Sequence, residues 1–143
     1  DKIEEICFDK KSHFSAKEVM LPITQTMFYF TEDGCTMPKE QDEKYLIFLR
    51  SCDLHSVKRV DEVYLNNKFL DIYYKRVRDK VKFVVFGCPN SFENCFCVDM
   101  KTNKTDEYNI GIKVTDDKIF ADIRDDELKA YLPEEANKVT ESL

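Results

Sequence analysis

The sequence has little of what marks several large classes of protein. Only 3 of its 143 residues are glycine and 4 are proline, so a low-complexity or disordered chain is not expected. No apolar run approaches the roughly 20 residues that a membrane span needs, and no signal-peptide core is visible. We therefore expect a globular protein of the cytoplasm that does not act at a membrane.

Signals for nucleic acid and for common active sites are also missing. The net charge is −6, and no basic stripe exists that would neutralise phosphates, so nucleic acid is not an expected partner. The sequence has no phosphate-binding glycine loop, no dinucleotide fingerprint and no serine-nucleophile elbow. We predict no catalytic residues on this chain.

The hydrophobic pattern predicts a single α/β domain over residues 1–143 with a mixed β-sheet. Residues 45–49 and 81–86 are continuous apolar runs, typical of strands covered on both faces. Residues 54–66 and 69–80 lie between them and carry apolar side chains at helical spacing, which predicts a central β-α-α-β unit. Residues 108–123 alternate between apolar and polar, which predicts a β-hairpin toward the C-terminus.

Smaller elements are predicted around this unit. Residues 24–30 are rich in β-branched and aromatic side chains and favour a strand, followed by a surface loop over 31–43. Ser15 has the capping-box spacing and predicts one helical turn after it. Ser51 is the expected N-cap of the first long helix, and residues 125–139 predict a terminal helix.

The strongest chemical signal is the placement of the cysteines. Three of the six, Cys88, Cys95 and Cys97, are crowded into one short segment after the second buried strand, and Cys52 follows the first. The chain has no signal peptide and is larger than the domains that depend on disulfides, so we expect reduced thiols. Two strands that each finish in a cysteine predict that these thiols meet at one edge of the sheet.

Each of these four positions suits a thiolate ligand. Cys52 lies at a predicted helix N-terminus, where the dipole is expected to lower its pKa. Cys88 precedes Pro89, so the backbone leaves the strand there. In extended backbone Cys95 and Cys97 would point to the same face. Thiolates bind soft metals and hold iron–sulfur clusters, so the four cysteines are candidate metal ligands.

The spacing leaves other interpretations open. It matches neither the standard ferredoxin run nor a paired C-x-x-C zinc ribbon. An iron–sulfur cluster, a zinc site, a redox-active dithiol and four ordinary buried cysteines are all compatible with it. Cys7 and Cys35 are interpreted as ordinary thiols, and a lone histidine such as His55 is more often structural than catalytic.

Four stretches match the pattern of one family: residues 21–33, 49–55, 61–65 and 91–98. They resemble the iron–sulfur subunit of anaerobic sulfite reductase and, more distantly, the β subunit of sulfhydrogenase-type hydrogenases. The most specific piece is Glu93-Asn-Cys-Phe-Cys97, and the likeness runs from about residue 13 to 105. The chain departs from the pattern at Asp99-Met-Lys-Thr102, where the family has a small residue before the methionine and a glycine after it.

The resemblance implies an electron-transfer subunit of an oxidoreductase complex. It implies a [4Fe-4S] cluster held by Cys52, Cys88, Cys95 and Cys97, with zinc as the alternative metal, and a cluster that is easily lost from an isolated fragment. The implied partners are a flavin subunit that takes electrons from NADH and a sirohaem subunit that reduces sulfite. The alternative is a scaffold domain that docks those subunits, with structural or zinc-binding cysteines and no redox role.

The family also implies a ferredoxin-like segment that carries further clusters. This sequence has no C-x-x-C-x-x-C run, and it starts at Asp1 rather than Met. We therefore expect it to be the N-terminal domain of a larger iron–sulfur subunit.

Overall fold

The computed structural model describes Cys7 and residues 10–40, 42–115 and 118–131. It confirms the predicted class, a single α/β domain with a mixed sheet. The strands are β1 (Tyr29–Thr31), β2 (Gly34–Thr36), β3 (Tyr45–Arg50), β4 (Val81–Phe86), β5 (Ile110–Val114) and β6 (Ile119–Ile123). The helices are α1 (Ser51–Tyr64), α2 (Ile72–Arg78) and α3 (Asp126–Lys129), and a 3-10 helix spans Ala16–Val19.

The main sheet has the strand order β3-β4-β5-β6. β3 and β4 are parallel and are joined by α1 and α2, so the predicted β-α-α-β unit is confirmed. β5 and β6 form the predicted antiparallel hairpin, whose turn at 116–117 lies outside the described residues. β4 and β5 are also parallel, and the chain crosses between them through residues 87–109, where a helix is the usual connection. The crowded cysteines lie in this crossover.

The core lies between the two helices and one face of the parallel strands. Val57 of α1 is 0% exposed and belongs to one apolar cluster with Leu49 of β3 and Phe83 of β4. Tyr74 of α2 and Met20, which follows the 3-10 helix, also belong to that cluster. Full burial of an aliphatic side chain such as Val57 contributes about 1.5–3 kcal/mol, so this face holds α1 firmly against the strands.

The first long helix starts differently from the prediction. Arg50, rather than Ser51, is the N-cap residue, and Ser51 is the first helical residue. The reason is that the Asp53 carboxylate accepts a hydrogen bond from the Arg50 backbone N–H at 3.4 Å, which closes the first turn one residue early. The Ser51 hydroxyl is thereby available for a contact with another segment.

A small hairpin occupies part of the predicted strand and loop. The predicted strand over 24–30 is correct only at its end, because β1 is Tyr29–Thr31. β2 pairs with it inside the predicted loop and contains Cys35. Gly34, at φ 134°, gives the tight turn that lets these charged residues form a hairpin.

The helix ends were predicted less accurately than the helices themselves. α2 is shorter than predicted because the Asp71 carboxylate caps it, accepting hydrogen bonds from the N–H groups of Tyr73 and Tyr74 at 2.9 and 2.8 Å. Ser15 caps the 3-10 helix as predicted. α3 covers the start of the predicted terminal helix, and residues beyond 131 lie outside the described part. No helix among the described residues is long and apolar enough to cross a membrane.

Candidate metal centre

The parallel pair β3–β4 brings two of the candidate ligands to one edge. Arg50 and Phe86 are Cα partners at the carboxyl end of the pair. Cys52 and Cys88 each follow two residues after one of these partners. Their backbones therefore leave the sheet at the same end, which is where ligands bind in open α/β sheets.

The segment that carries the other two cysteines is a chain of turns. The Cys95 N–H donates to the Phe92 carbonyl at 3.1 Å, with Asn94 in the left-handed region at φ 60°. The Thr102 N–H donates to the Cys97 carbonyl at 2.7 Å, and Lys101 is also left-handed at φ 54°. Turns therefore lie on both sides of the Cys95–Cys97 piece, and Cys95 and Phe96 themselves belong to neither helix nor strand. That the two thiols point to the same face stays a prediction.

Two hydrogen bonds fasten this segment to the start of α1. The Ser51 hydroxyl donates to the Thr102 carbonyl at 2.9 Å. His55 Nε2 lies 2.8 Å from the Lys104 carbonyl, as expected for a structural histidine. The two contacts are one helical turn apart on α1, so they hold the end of the cysteine segment alongside the turn that contains Cys52.

Arg50 fills the space between the strand ends and the cysteine segment. Its Nη1 donates to Cys88 Sγ at 3.1 Å, and its Nη2 donates to the Lys10 carbonyl at 3.3 Å. Its Cζ lies 4.4 Å from the centroid of the Phe92 ring, a cation–π distance. The guanidinium therefore contacts both the sulfur of one candidate ligand and the turn that leads to the next.

The pKa of the Cys52 thiol is raised, which is opposite to the expectation from the helix N-terminus. Partial burial is the main cause, and the Asp53 carboxylate and the thiols of Cys88 and Cys97 add to it. A backbone hydrogen bond from Asp53 lowers the pKa but does not outweigh these effects. Cys88 and Cys97 are close enough to Cys52 to affect its ionisation.

Three of the four predicted ligands thus share one electrostatic environment. Cys95 is half-buried in the same segment, two residues before Cys97, while Cys35 lies in the separate β1–β2 hairpin. Over the described ranges, no group of three or more His, Cys, Asp or Glu side chains is arranged to hold a metal ion. The donor chemistry does fit an iron–sulfur cluster, since the four cysteines supply thiolates and no oxygen ligand is required.

Sequence reasoning missed the residues that fix the cysteine segment. The sequence placed Arg50 in the turn that leads into the first long helix and Thr102 in a polar loop, and it predicted no contact of either residue with the cysteines. The available signal was Asn94, a residue type that tolerates the left-handed region and so indicates a turn. No disulfide joins the six cysteines, all of which lie in the described part of the chain.

Comparison with known proteins gives one distant likeness. The chain is 30% identical over 105 residues to sulfhydrogenase 2 subunit beta of Pyrococcus furiosus. The match covers 72% of this chain and 30% of that protein, so the chain spans less than a third of its relative's length. No family model and no solved structure matches the chain. The likeness supports a distant relationship to that protein, and the narrower resemblance to anaerobic sulfite reductase stays a prediction.

Proposed function

We propose that this domain belongs to an electron-transfer subunit of an oxidoreductase complex. The likeness to a sulfhydrogenase β subunit supports the general role, because that name denotes one subunit of a redox enzyme. A [4Fe-4S] cluster bound by Cys52, Cys88, Cys95 and Cys97 is the proposed cofactor. When bound, the cluster would accept and release single electrons.

The observation that carries this proposal is the in-register end of the two parallel strands. Arg50 and Phe86 are Cα partners, and the candidate ligands Cys52 and Cys88 follow each of them at the same spacing. The tether from Ser51 to Thr102 holds the segment of the remaining two cysteines against the same helix end. Residues from β3, α1 and the cysteine segment thus lie at one edge of the sheet, which supports a cluster bound by four thiolates there.

The finer proposal concerns the complex. We propose a cytoplasmic, NADH-linked anaerobic sulfite reductase, in which a flavin subunit delivers electrons and a sirohaem subunit reduces sulfite. This chain would relay electrons between them and would perform no substrate chemistry itself. In the longer protein a ferredoxin-like segment would follow this domain and carry further clusters.

A second candidate function is a scaffold domain that docks those subunits, with cysteines that are structural or bind zinc. Large exposed apolar side chains favour it. Phe30 in the small hairpin is 80% exposed, and Phe48 on the sheet face opposite α1 is 55% exposed. Phe96, which lies between two candidate ligands, is 67% exposed. Apolar groups of this kind suit a surface that another subunit covers.

The metal content of protein purified without oxygen distinguishes the electron-transfer function from the scaffold function. We expect iron and acid-labile sulfide at about four atoms each per chain, the composition of a [4Fe-4S] cluster, and a signal in EPR after reduction with dithionite. The Cys95→Ser variant should lose this iron. The matched control Cys35→Ser should keep it, because Cys35 lies in the β1–β2 hairpin.

Three results would contradict the proposed iron–sulfur cluster at these four cysteines. A chain that binds no iron after anaerobic reconstitution, while circular dichroism shows an intact fold, would overturn the cluster. Stoichiometric zinc that is lost in Cys95→Ser would support the scaffold with a structural metal. Iron that Cys35→Ser loses as readily as Cys95→Ser would show that the wrong thiols were chosen.

A further inference from the structure

One charged side chain contacts the proposed centre without being a ligand. Arg50 Nη1 lies 3.1 Å from Cys88 Sγ, which is a close contact for an N–H donor on sulfur. Arg50 extends from the carboxyl end of β3, and Cys88 follows the partner strand β4. Strand pairing therefore fixes Arg50 and brings the start of the cysteine segment, which contains Cys88, beside it.

Two further contacts orient the guanidinium. Nη2 donates to the Lys10 carbonyl at 3.3 Å, and the Phe92 ring lies against Cζ at 4.4 Å. A planar guanidinium satisfies a sulfur, a carbonyl and a ring face together, which an ammonium on a flexible stem does not do equally well. The geometry is therefore specific to arginine.

The surrounding charges give this cation an electrostatic role. The Asp53 carboxylate lies in the first turn of α1, directly after Cys52, and Cys88 follows the partner strand. Four thiolates around one cluster would add negative charge to that of Asp53 at this edge. Arg50 supplies positive charge directly at one of these sulfurs. Hydrogen bonds and positive charge at a ligand sulfur favour the reduced cluster, because reduction adds an electron.

We propose that Arg50 is a positioning residue that raises the reduction potential of the cluster through its hydrogen bond to the Cys88 sulfur. The inference rests on the proposed cluster and deepens it, since it names the protein group that tunes the cluster. Arg50→Gln removes the charge but keeps an amide donor. Arg50→Lys keeps the charge but loses the planar contacts.

The test is a redox titration followed by EPR, on protein reconstituted anaerobically with ferrous iron and sulfide. We expect the midpoint potential to shift downward in Arg50→Gln and to lie between that value and wild type in Arg50→Lys. The matched control is Arg59→Gln, the same change at an exposed arginine on α1, and it should titrate like wild type. Iron content and circular dichroism on each variant show that intact centres are being compared.

The possible outcomes distinguish failure of the proposed role of Arg50 from failure of the proposed cluster. Potentials of Arg50→Gln and Arg50→Lys that equal wild type, with full iron content, overturn the role of Arg50 and leave the cluster standing. If Arg50→Gln is folded but does not retain iron, the potential of Arg50→Lys decides. Wild-type protein without iron overturns both proposals. A downward shift in Arg59→Gln as large as in Arg50→Gln would show a general charge effect and overturn the specific contact.

Discussion

Tyr74 of α2 and Asp61 of α1 join the two helices through a hydrogen bond of 2.6 Å from the tyrosine hydroxyl to Oδ1. Tyr74 is 2% exposed, and Arg78 also donates to the Asp61 carboxylate, through Nε at 3.0 Å. The Asp61 carboxylate is therefore the acceptor that satisfies a buried hydroxyl.

This contact predicts unequal costs for its two partners. Tyr74→Phe removes a hydrogen bond while Asp61 keeps Arg78, so the free energy of unfolding should fall by about 1 kcal/mol. Asp61→Ala leaves a buried hydroxyl without its acceptor and should cost about 2–3 kcal/mol. Urea unfolding measures both. Tyr45→Phe is the control, because its hydroxyl makes only an exposed contact of 3.5 Å, and an equal loss there would contradict the prediction.

The same pair predicts how stability depends on pH at the alkaline end. Burial and the Asp61 carboxylate raise the pKa of Tyr74 above its ordinary value. The folded state thus holds this proton more tightly than the unfolded state, whose tyrosine pKa is about 10. The stabilisation is fully present below about pH 10 and is lost as the pH rises above it. Tyr74→Phe should flatten this decline, and a profile unchanged by the substitution would exclude Tyr74 as its source.

The tether between α1 and the cysteine segment predicts a local effect. Ser51→Ala removes the hydrogen bond to the Thr102 carbonyl and should lower the free energy of unfolding by about 1 kcal/mol. Amide hydrogen exchange in residues 97–104 should rise as well. Ser56→Ala is the matched control on the same helix, since that hydroxyl bonds to the Asp53 carbonyl within the helix. Equal exchange in both variants would mean that the tether does not order the segment.

The close packing of Tyr108 against Gly111 in β5 predicts that a side chain at position 111 destabilises the fold. A Cβ at this position would lie 2.8 Å from Tyr108 Cε2, and the Tyr108 hydroxyl is hydrogen-bonded to Asp122. Gly111→Ala should therefore displace the ring and cost about 1–3 kcal/mol of unfolding free energy. Gly87→Ala is the control, because a Cβ there meets only the Ile112 carbonyl at 3.6 Å. Thermal unfolding that ranks Gly87→Ala as the less stable variant would refute this explanation.

The ion pairs of Lys82 predict how the stability of the fold depends on pH in the acid range. Its ammonium contacts the carboxylates of Asp125 and Glu127, and the hydrogen bonds from Lys82 lower the pKa of both carboxyls. The stabilisation is present above the unfolded carboxyl pKa of about 4 and is lost as the pH falls below it. Lys82→Gln should make acid unfolding less steep. Lys58→Gln, which breaks a pair with Glu107 elsewhere, should not.

The regular elements of the fold were predictable from the sequence. The apolar run that became β4 and the helical stripe of α1 follow from hydrophobic period alone, because burial selects that pattern. The β1–β2 hairpin was missed because its charged turn indicates a loop, whereas the φ of Gly34 decides the pairing. The end of α1 at Tyr64 fell two residues before its predicted end, a boundary that depends on local capping.

The sequence could propose which residues form the candidate site, but it could not give their arrangement. Placing Cys52 and Cys88 at the ends of two buried strands followed from the pattern, and the register supports their proximity. The path of the segment between Cys88 and Thr102 depends on turns at Asn94 and Lys101, neither of which is a glycine. The contact between Arg50 and Cys88 joins residues far apart in sequence, and no local pattern indicates it.

The pairing of Arg50 with Phe86 has a consequence for folding. A slip of one residue between β3 and β4 would turn the buried Leu49 toward the opposite face, since side chains alternate along a strand. The same slip would move Cys52 about 3.3 Å along the sheet relative to Cys88, one strand rise. Correct packing of the core and correct alignment of the two cysteines therefore depend on the same strand register. A misregistered chain would lose both together, so burial of the core during folding also selects the register that aligns the candidate ligands.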